Sequence, residues 1–151
     1  MSKSLKLITC ICLIAIGSFS QAQDLSPTFL AIIVSDMDSS IAWYQQKLGF
    51  EVVNQTANEA RGFKQANLKT ASTKLELIEI KNAVNPSDSI KSPLIGLFKF
   101  GFTTQKFDWW IEHLEQQAAH FHGRVVPDPH SGKRLVLVKD PDGNRIQIFE
   151  Q

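Results

Sequence analysis

The sequence lacks three things: cysteine beyond its N-terminus, an excess of charge of either sign, and any long hydrophobic run. Its two cysteines, Cys10 and Cys12, both precede Ala22, and the formal net charge of the chain is +1. Without that N-terminal segment, the chain has no thiol, no disulfide and no cysteine metal ligand. A near-neutral charge argues against nucleic acid as a partner, because proteins that bind nucleic acid usually carry a strongly basic surface.

The N-terminus has the three parts of a secretory signal peptide. Lys3 and Lys6 form the basic region, Leu7 to Phe19 is an apolar run, and Ser20-Gln21-Ala22 is a small-x-small cleavage site. The apolar run is shorter than the roughly 20 residues that a membrane-spanning helix needs. We expect cleavage after Ala22, which removes residues 1–22 and leaves a periplasmic or secreted protein that is not membrane-bound. Residues 23–28 are then a short N-terminal extension.

The first half of the mature chain reads as strand, helix, strand, strand, strand. The Asp36-Met37-Asp38-Ser39 segment contains capping residues, and the helix that follows runs to about Leu48, where Gly49 supplies the left-handed residue that often follows a helix. Apolar runs rich in β-branched residues predict the strands. The predicted strands are Phe29–Val34, Phe50–Asn54, Arg61–Leu68 and Lys74–Ile80, with a polar turn over Gln55–Ala60.

The second half repeats that order after a proline-containing linker, residues 82–93. A helix is predicted over Lys106–Ala119, where apolar residues recur at helical spacing. The Asp140-Pro141-Asp142-Gly143-Asn144 segment has the residues of a tight turn and predicts a closing β-hairpin. The predicted strands are Leu97–Phe102, Arg124–Val126, Leu135–Lys139 and Arg145–Glu150.

The two halves also resemble each other in sequence. Ile41-x-Trp43-Tyr44-x3-Leu48 aligns with Phe107-x-Trp109-Trp110-x3-Leu114, which makes Phe107 the counterpart of Ile41. The chain therefore predicts one domain, residues 29–151, built from two βαβββ modules at residues 29–81 and 94–151. The expected fold class is α+β, an eight-stranded curved mixed sheet with both helices on its convex face and a cleft on its concave face.

Two stretches carry a resemblance to a known family. IIVSDMDSSIAWYQQKLGFEVV (Ile32–Val53) and VLVKDPDGNRIQIFE (Val136–Glu150) resemble the opening and closing segments of the vicinal oxygen chelate family. That family includes glyoxalase I, bleomycin-resistance proteins and extradiol dioxygenases. The resemblance implies the glyoxalase-like fold but says little about the reaction, because one fold hosts many activities.

The resemblance also implies where a metal would bind. The metal-using members hold a divalent ion with four side chains that face the cleft. The matching positions here are Phe29, Glu76, Leu97 and Gln147. Phe29 and Leu97 have no lone pairs to donate, and the Gln147 amide is a poor replacement for a carboxylate. We therefore expect no metal site and no other cofactor.

Glu76 is the residue with the most chemical potential in the predicted cleft. In an apolar cleft, burial would raise the pKa of its carboxyl, so that it could serve as a general base. The alternative is a carboxylate paired with a cation, and Lys99 or Arg145 lies on a suitable face. We favour the paired role.

The other candidate residues suit ligand binding. Lys99, Arg145 and Gln147 offer polar contacts, and His130 lies in the Pro127–Lys133 loop that should rim the cleft. The apolar candidates could fill the core or form the walls of a hydrophobic site. These are Phe29, Ile33, Ile78, Leu97 and Phe149. The remaining histidines, including the His120-x-His122 pair, are better explained as surface or loop residues than as metal ligands.

These observations favour an exported protein that binds a small apolar or aromatic molecule without metal. A first alternative is a metal-independent lyase or isomerase with Glu76 as its base, and a second is a metal-dependent glyoxalase-like enzyme. A third is an interaction domain whose cleft is filled by its own side chains. The resemblance implies a homodimer, with modules paired either within one chain or between two.

Overall fold

The computed structural model describes residues 28–84 and 96–151. The predicted signal peptide, all but the last residue of the predicted N-terminal extension, and most of the predicted linker lie outside these residues. The described chain forms two modules of similar topology. In the described segments, no helix is both long enough and apolar enough to cross a membrane.

Module one contains one α-helix and a four-stranded sheet. Its β1 is parallel to β4, and the strand order is β1-β4-β3-β2. The predicted turn over Gln55–Ala60 is wrong for Gln55 to Asn58, because the second strand continues through Asn58 after a bulge near Val53. The elements are β1 (Leu30–Val34), α1 (Met37–Leu48), β2 (Glu51–Asn58), a short 3-10 helix (Glu59–Arg61), β3 (Phe63–Lys69) and β4 (Lys74–Ile80).

Module two repeats this order with one strand divided in two. The strand order is β5-β9-β8-β6, and β7 also pairs with β8, so β6 and β7 together take the place of β2. The predicted strand Leu97–Phe102 begins later than expected, at Phe100. The elements are β5 (Phe100–Thr104), α2 (Phe107–Gln116), β6 (His120–Phe121), β7 (Val126–Pro127), β8 (Arg134–Lys139) and β9 (Arg145–Glu150).

Helix α1 is held at both ends by specific groups. The Ser39 N–H donates to the Asp36 carboxylate at 2.7 Å, and the Met37 N–H donates to Glu79 Oε2 at 2.7 Å. The first N–H groups of a helix have no carbonyl partner within the helix, and these two carboxylates accept hydrogen bonds from two of them. Gly49 takes a left-handed conformation, with φ of 68°, and ends the helix as predicted. Helix α2 has no side-chain cap at Lys106, and it is shorter than the predicted Lys106–Ala119.

The core lies between the helices and one face of each sheet. From α1 it contains Ile41, Tyr44 and Leu48, and from α2 it contains Phe107 and Leu114. The buried strand residues of this core are Ile32, Val34, Ala66, Leu68, Leu75, Leu77, Val136, Val138, Ile146 and Ile148. Because the helices cover this face, functional side chains must be sought on the opposite face of each sheet.

The α+β class and the two βαβββ modules are confirmed, with two corrections. The described strands are hydrogen-bonded as two sheets, not as one continuous sheet. The counterpart of Phe107 is also Met37 and not Ile41, since Met37 begins α1 and Phe107 begins α2. The alignment of the two halves was therefore displaced by about one helical turn. Apolar periodicity cannot detect such a shift, because the buried stripe stays in place.

Candidate functional site

The candidate site lies on the sheet faces that the helices do not cover, which we call the open faces. On β4, Leu75 and Leu77 point into the core, so Glu76 and Ile78 point to the open face of module one. On β9, Ile146 and Ile148 point into the core, so Arg145, Gln147 and Phe149 point to the open face of module two. Glu76 and Gln147 therefore point away from the core, as the alternation of side chains along each strand predicts.

Glu76 lies in a row of residues that crosses module one. Its Cα partners are Ala31 on β1 and Asn67 on β3, and Asn67 in turn is paired with Asn54 on β2. The Asn67 amide donates to the Asn54 side-chain oxygen at 2.7 Å. The row therefore presents a carboxylate beside two linked amides, which makes it more polar than the sequence suggested.

The expected ion pair of Glu76 is absent among the described residues. Glu76 is half-buried, and neither Lys99 nor Arg145 pairs with it within residues 28–84 and 96–151. Arg145 instead places its guanidinium over the Phe98 ring, with 4.4 Å between the guanidinium carbon and the ring centroid. The carboxylates that pair with lysines on β3 are Glu79, with Lys64, and Glu51, with Lys69. The hydrogen bond from Lys64 lowers the pKa of the Glu79 carboxyl.

Gln147 is the most enclosed polar residue of the candidate site. It is only 3% exposed, and its Oε1 atom has no hydrogen-bond partner among the described residues. Its neighbours across the sheet are Gly101 on β5 and Leu137 on β8. A Cβ atom on Gly101 would lie 2.7 Å from the Gln147 carbonyl oxygen, so this close approach requires glycine.

The apolar candidates fall into two groups. Phe29, Ile33 and Leu97 are well exposed, whereas Ile78 and Phe149 are half-buried on the open faces. Phe29 also lines a groove of about 290 Å³ between the modules, together with Leu30, Phe50, Phe100 and Phe102. The groove also reaches Gly101, the Cα partner of Gln147 on β5.

Leu97 and His130 lie away from Gln147 along the chain and the sheet. Leu97 precedes β5, and because β1 begins at Leu30 and β5 at Phe100, the counterpart of Phe29 is Lys99. His130 is exposed in a turn in which the Ser131 N–H and hydroxyl both donate to Asp128, which lowers the pKa of the Asp128 carboxyl. This turn lies at the Arg134 end of β8, whereas Arg145 is paired with Lys139 at the opposite end of β8.

The structure adds residues that the sequence reasoning missed. Lys139 is the Cα partner of Arg145, and His120 is the partner of Lys139, so three basic side chains share one row. The hairpin prediction could have found the Lys139–Arg145 pair, because a tight turn fixes which residues are opposite each other. His120 could not be found, because the short strand β6 has no pattern in the sequence.

The residues present do not fit the metal site that the fold family implies. Glu76 is opposite Ala31 and Gln147 is opposite Gly101, so neither potential ligand has a donor side chain next to it on the first strand of its module. Lys99, the counterpart of Phe29, carries a positive charge that repels a cation. The described residues contain no group of three histidine, cysteine, aspartate or glutamate side chains that could hold an ion. One carboxylate and one amide cannot supply the coordination sphere of zinc or iron.

Two known proteins match most of the chain in sequence. The uncharacterized protein YwkD of Bacillus subtilis is 31% identical over 123 residues, which cover 81% of this chain and 94% of that protein. The uncharacterized protein YaeR of Escherichia coli is 29% identical and matches over 81% of this chain and 93% of its own length.

Comparisons with solved structures support the glyoxalase-like fold. A glyoxalase family protein from Enterococcus faecalis matches with a TM-score of 0.73 and 25% identity, covering 83% of this chain and 97% of that one. The trypanothione-dependent glyoxalase I of Leishmania major has a TM-score of 0.62 at 19% identity and covers 81% of this chain and 84% of that one, so it is similar in fold alone. The family model of the Glyoxalase/Bleomycin resistance protein/Dioxygenase superfamily matches residues 27–148, and the chain belongs to that superfamily.

Proposed function

We propose that this protein binds a small apolar or aromatic molecule on its open faces and does so without a metal ion. The observation that carries the proposal is the Gln147 side chain, which is buried and has an oxygen without a hydrogen-bond partner among the described residues. A buried acceptor without a partner costs free energy, and a donor on a ligand would recover it. Phe29 and Ile33 offer exposed apolar surface for the rest of the ligand.

The remaining candidate residues complete the proposed site. Ile78 and Phe149 would supply apolar walls, since both lie on open faces. Lys99 and Arg145 would contact a polar group of the ligand, and His130 would contact a ligand that extends past the Arg134 end of β8. Such a combination of apolar walls and a few polar groups is typical of small-molecule sites.

A fluorescent apolar probe tests this function on the mature chain. N-phenyl-1-naphthylamine is uncharged and fluoresces when it leaves water. We expect saturable binding to the wild type and loss of binding in Ile33→Arg, which puts a charge on the open face of module one. Val53→Arg is the matched control, because Val53 is 55% exposed and Ile33 53% exposed, but Val53 lies at the bulge of an edge strand. No saturable binding to the wild type would overturn the proposal.

A second candidate is a metal-independent lyase or isomerase in which Glu76 is the general base. The observation that favours it is that the Glu76 carboxylate is half-buried on the open face and has no cation partner among the residues of the described chain. A base in that position could take a proton from a carbon next to a carbonyl group. Exchange of the α-protons of aryl ketones in D2O would detect this activity, and Glu76→Gln should abolish it. Equal exchange by both proteins would exclude Glu76 as the base.

The absence of a resident metal is part of the proposal and has its own test. The argument rests on the donor atoms present, which are too few for the metal site of the family. Metal analysis of the purified mature protein should find less than stoichiometric zinc, nickel and iron. A stoichiometric metal that is lost in both Glu76→Gln and Gln147→Ala would overturn this part of the proposal.

We also propose that the protein is exported and forms a homodimer. Export rests on the predicted signal peptide over residues 1–22, and N-terminal sequencing of the mature protein should begin at Gln23. The dimer rests on the family resemblance and on exposed apolar side chains such as Phe29 and Phe98. Light scattering should give twice the chain mass, and a monomer at micromolar concentration would contradict this expectation.

A further inference from the structure

A row of basic side chains crosses the open face of module two. His120 on β6 is the Cα partner of Lys139 on β8, and Lys139 is the partner of Arg145 on β9. Directly opposite residues of antiparallel strands point to the same face with their Cβ atoms about 5 Å apart. Lys99 immediately precedes β5, where Phe100 is paired with Ile146. We call His120, Lys139 and Arg145 the basic row.

The basic row has no acidic partner among the residues that the structure describes. The salt bridges of the described part of module two all belong to Arg134, which holds Asp108 at 2.6 Å and Glu150 at 2.7 Å. Glu150 is the Cα partner of Thr104 and alternates with Phe149, so it points away from the open face. Lys139 and Arg145 are like charges directly opposite each other, which causes repulsion, and within the described residues neither side chain forms a salt bridge with a carboxylate. An anion placed on the row would relieve it.

Arg145 is oriented for this role by an aromatic ring. Its guanidinium carbon lies over the Phe98 ring, 4.4 Å from the ring centroid, and within the described residues no salt bridge engages its N–H groups. A guanidinium held in one plane can give two parallel hydrogen bonds to a carboxylate or phosphate group. Arg145 and Gln147 are two residues apart on β9 and point to the same face, so a ligand whose anionic group lies at Arg145 would place its next atoms beside the Gln147 side chain.

We propose that the basic row binds the anionic group of the ligand, a carboxylate or a phosphate, while the apolar part of the ligand lies over Leu137 and Phe149. The proposal rests on the proposed function and narrows it from an apolar or aromatic molecule to an anionic one. Leu137 is the partner of Gln147, and Phe149 is the partner of Leu135, so apolar side chains continue along the face next to the row. A ligand with one charged end and one apolar end would match this arrangement.

Two probes that differ by one charged group test the proposal. 1-Anilinonaphthalene-8-sulfonate carries a sulfonate, which stands in for a carboxylate or phosphate, and N-phenyl-1-naphthylamine has the same ring system without that group. We expect the wild type to bind the sulfonate probe at least about fivefold more tightly, since hydrogen bonds to a charged group contribute more than neutral ones. The amide signals of Leu137 and Gln147 should shift in NMR spectra when the sulfonate probe binds.

Variants then assign the preference to the row. Arg145→Gln and Lys139→Gln should each bring the two probes to within about twofold of each other, because each removes one charge. Arg145→Lys keeps the charge and should retain part of the preference, which separates loss of charge from loss of folding. Lys106→Gln is the matched control, since Lys106 is exposed at the start of α2, outside the row, and it should leave the preference unchanged.

The outcomes separate this proposal from the function on which it rests. If neither probe binds, the proposed function is overturned. If both probes bind equally, or the preference survives in Lys139→Gln and Arg145→Gln, binding stands and the basic row is not the anion site. Shifts confined to residues around Trp109 would also overturn the assignment. A comparison of 2-naphthoate with 2-naphthyl phosphate then shows which anion the row prefers.

Discussion

The phenol O–H of Tyr44 donates a hydrogen bond of 2.8 Å to Asp140 Oδ2, and both side chains are buried. Tyr44 belongs to α1 of module one, whereas Asp140 begins the turn of the closing hairpin in module two. Asp140 also accepts from the side chain and the backbone N–H of Asn144, each at 2.8 Å. Burial raises the pKa of the Asp140 carboxyl, although these hydrogen bonds oppose the shift. One carboxylate therefore joins the two modules and shapes the turn.

Tyr44→Phe should destabilise the protein by about 1–2 kcal/mol, because it removes a donor from a buried carboxylate while leaving the ring in place. Urea unfolding monitored by circular dichroism measures the change. Trp43→Phe is a useful control on the same helix, since Trp43 is half-buried and contacts Tyr44 edge to face. If the free energy of unfolding of Tyr44→Phe equals that of the wild type, then the hydrogen bond to Asp140 contributes nothing to the joining of the modules.

A second network makes stability depend on acid pH. Arg134 donates from its backbone N–H and its guanidinium to Glu150, and it also pairs with Asp108 on α2. These contacts lower the pKa of the Glu150 carboxyl to about 2. A carboxyl whose pKa is lowered by folding stabilises the folded state above its unfolded pKa, which is about 4.3. That contribution is lost as the pH falls through this value towards the folded pKa.

Glu150→Gln should therefore be less stable than the wild type at pH 6, and the difference should shrink as the pH falls from about 4.3 towards 2. Urea unfolding of both proteins at several pH values measures the difference. Glu115→Gln, an exposed substitution on α2 outside this network, is the control. A difference between Glu150→Gln and the wild type that stays constant across this range would show that the Arg134 pair does not set the acid stability.

Local chemistry explains which parts of the fold were predictable. The Asp36 cap, the Gly49 stop and the Asp140–Asn144 turn depend on neighbouring residues, so the sequence predicted α1 and the closing hairpin closely. Strand β6 was missed and β7 was displaced, because each strand is only two residues long and so shows no alternation of apolar and polar residues. Only their pairing with β8 defines them as strands. The start of β5 at Phe100 was also misjudged, since the apolar Leu97 and Phe98 read as strand.

The candidate site was predictable only in part, for a different reason. Strand alternation fixed the faces of Glu76 and Gln147, because the period of two is local. The partners of those residues depend on register between distant strands. The pairs Glu76 with Asn67, Gln147 with Gly101, and Lys139 with His120 therefore appear only in the structure. The expected ion pair of Glu76 was wrong for the same reason.

Gly101→Ala should destabilise the protein by about 1–3 kcal/mol, because the new Cβ would lie 2.7 Å from the Gln147 carbonyl oxygen and would force β5 away from β9. The same displacement would move the Gln147 side chain, so probe binding should weaken with stability. Thr103→Ala is the matched control, since Thr103 is the next residue on the same face of β5 and is exposed. If the unfolding curves of both variants superimpose on the wild-type curve, then β5 can move away from β9 without loss of unfolding free energy.

The cap of α1 gives the last prediction. Asp36→Ala removes the acceptor of the Ser39 N–H, and side-chain caps of this kind contribute about 1 kcal/mol. The loss should be at the lower end of the usual range, because Glu79 still accepts from the Met37 N–H and keeps one carboxylate at the helix start. Asp38→Ala is the control, since Asp38 lies in the first turn of α1 without capping it. The double variant Asp36→Ala/Glu79→Ala should lose more than the sum of the single losses, because it removes both side-chain acceptors of the first-turn N–H groups. Additive losses in urea unfolding would show instead that the two carboxylates act independently.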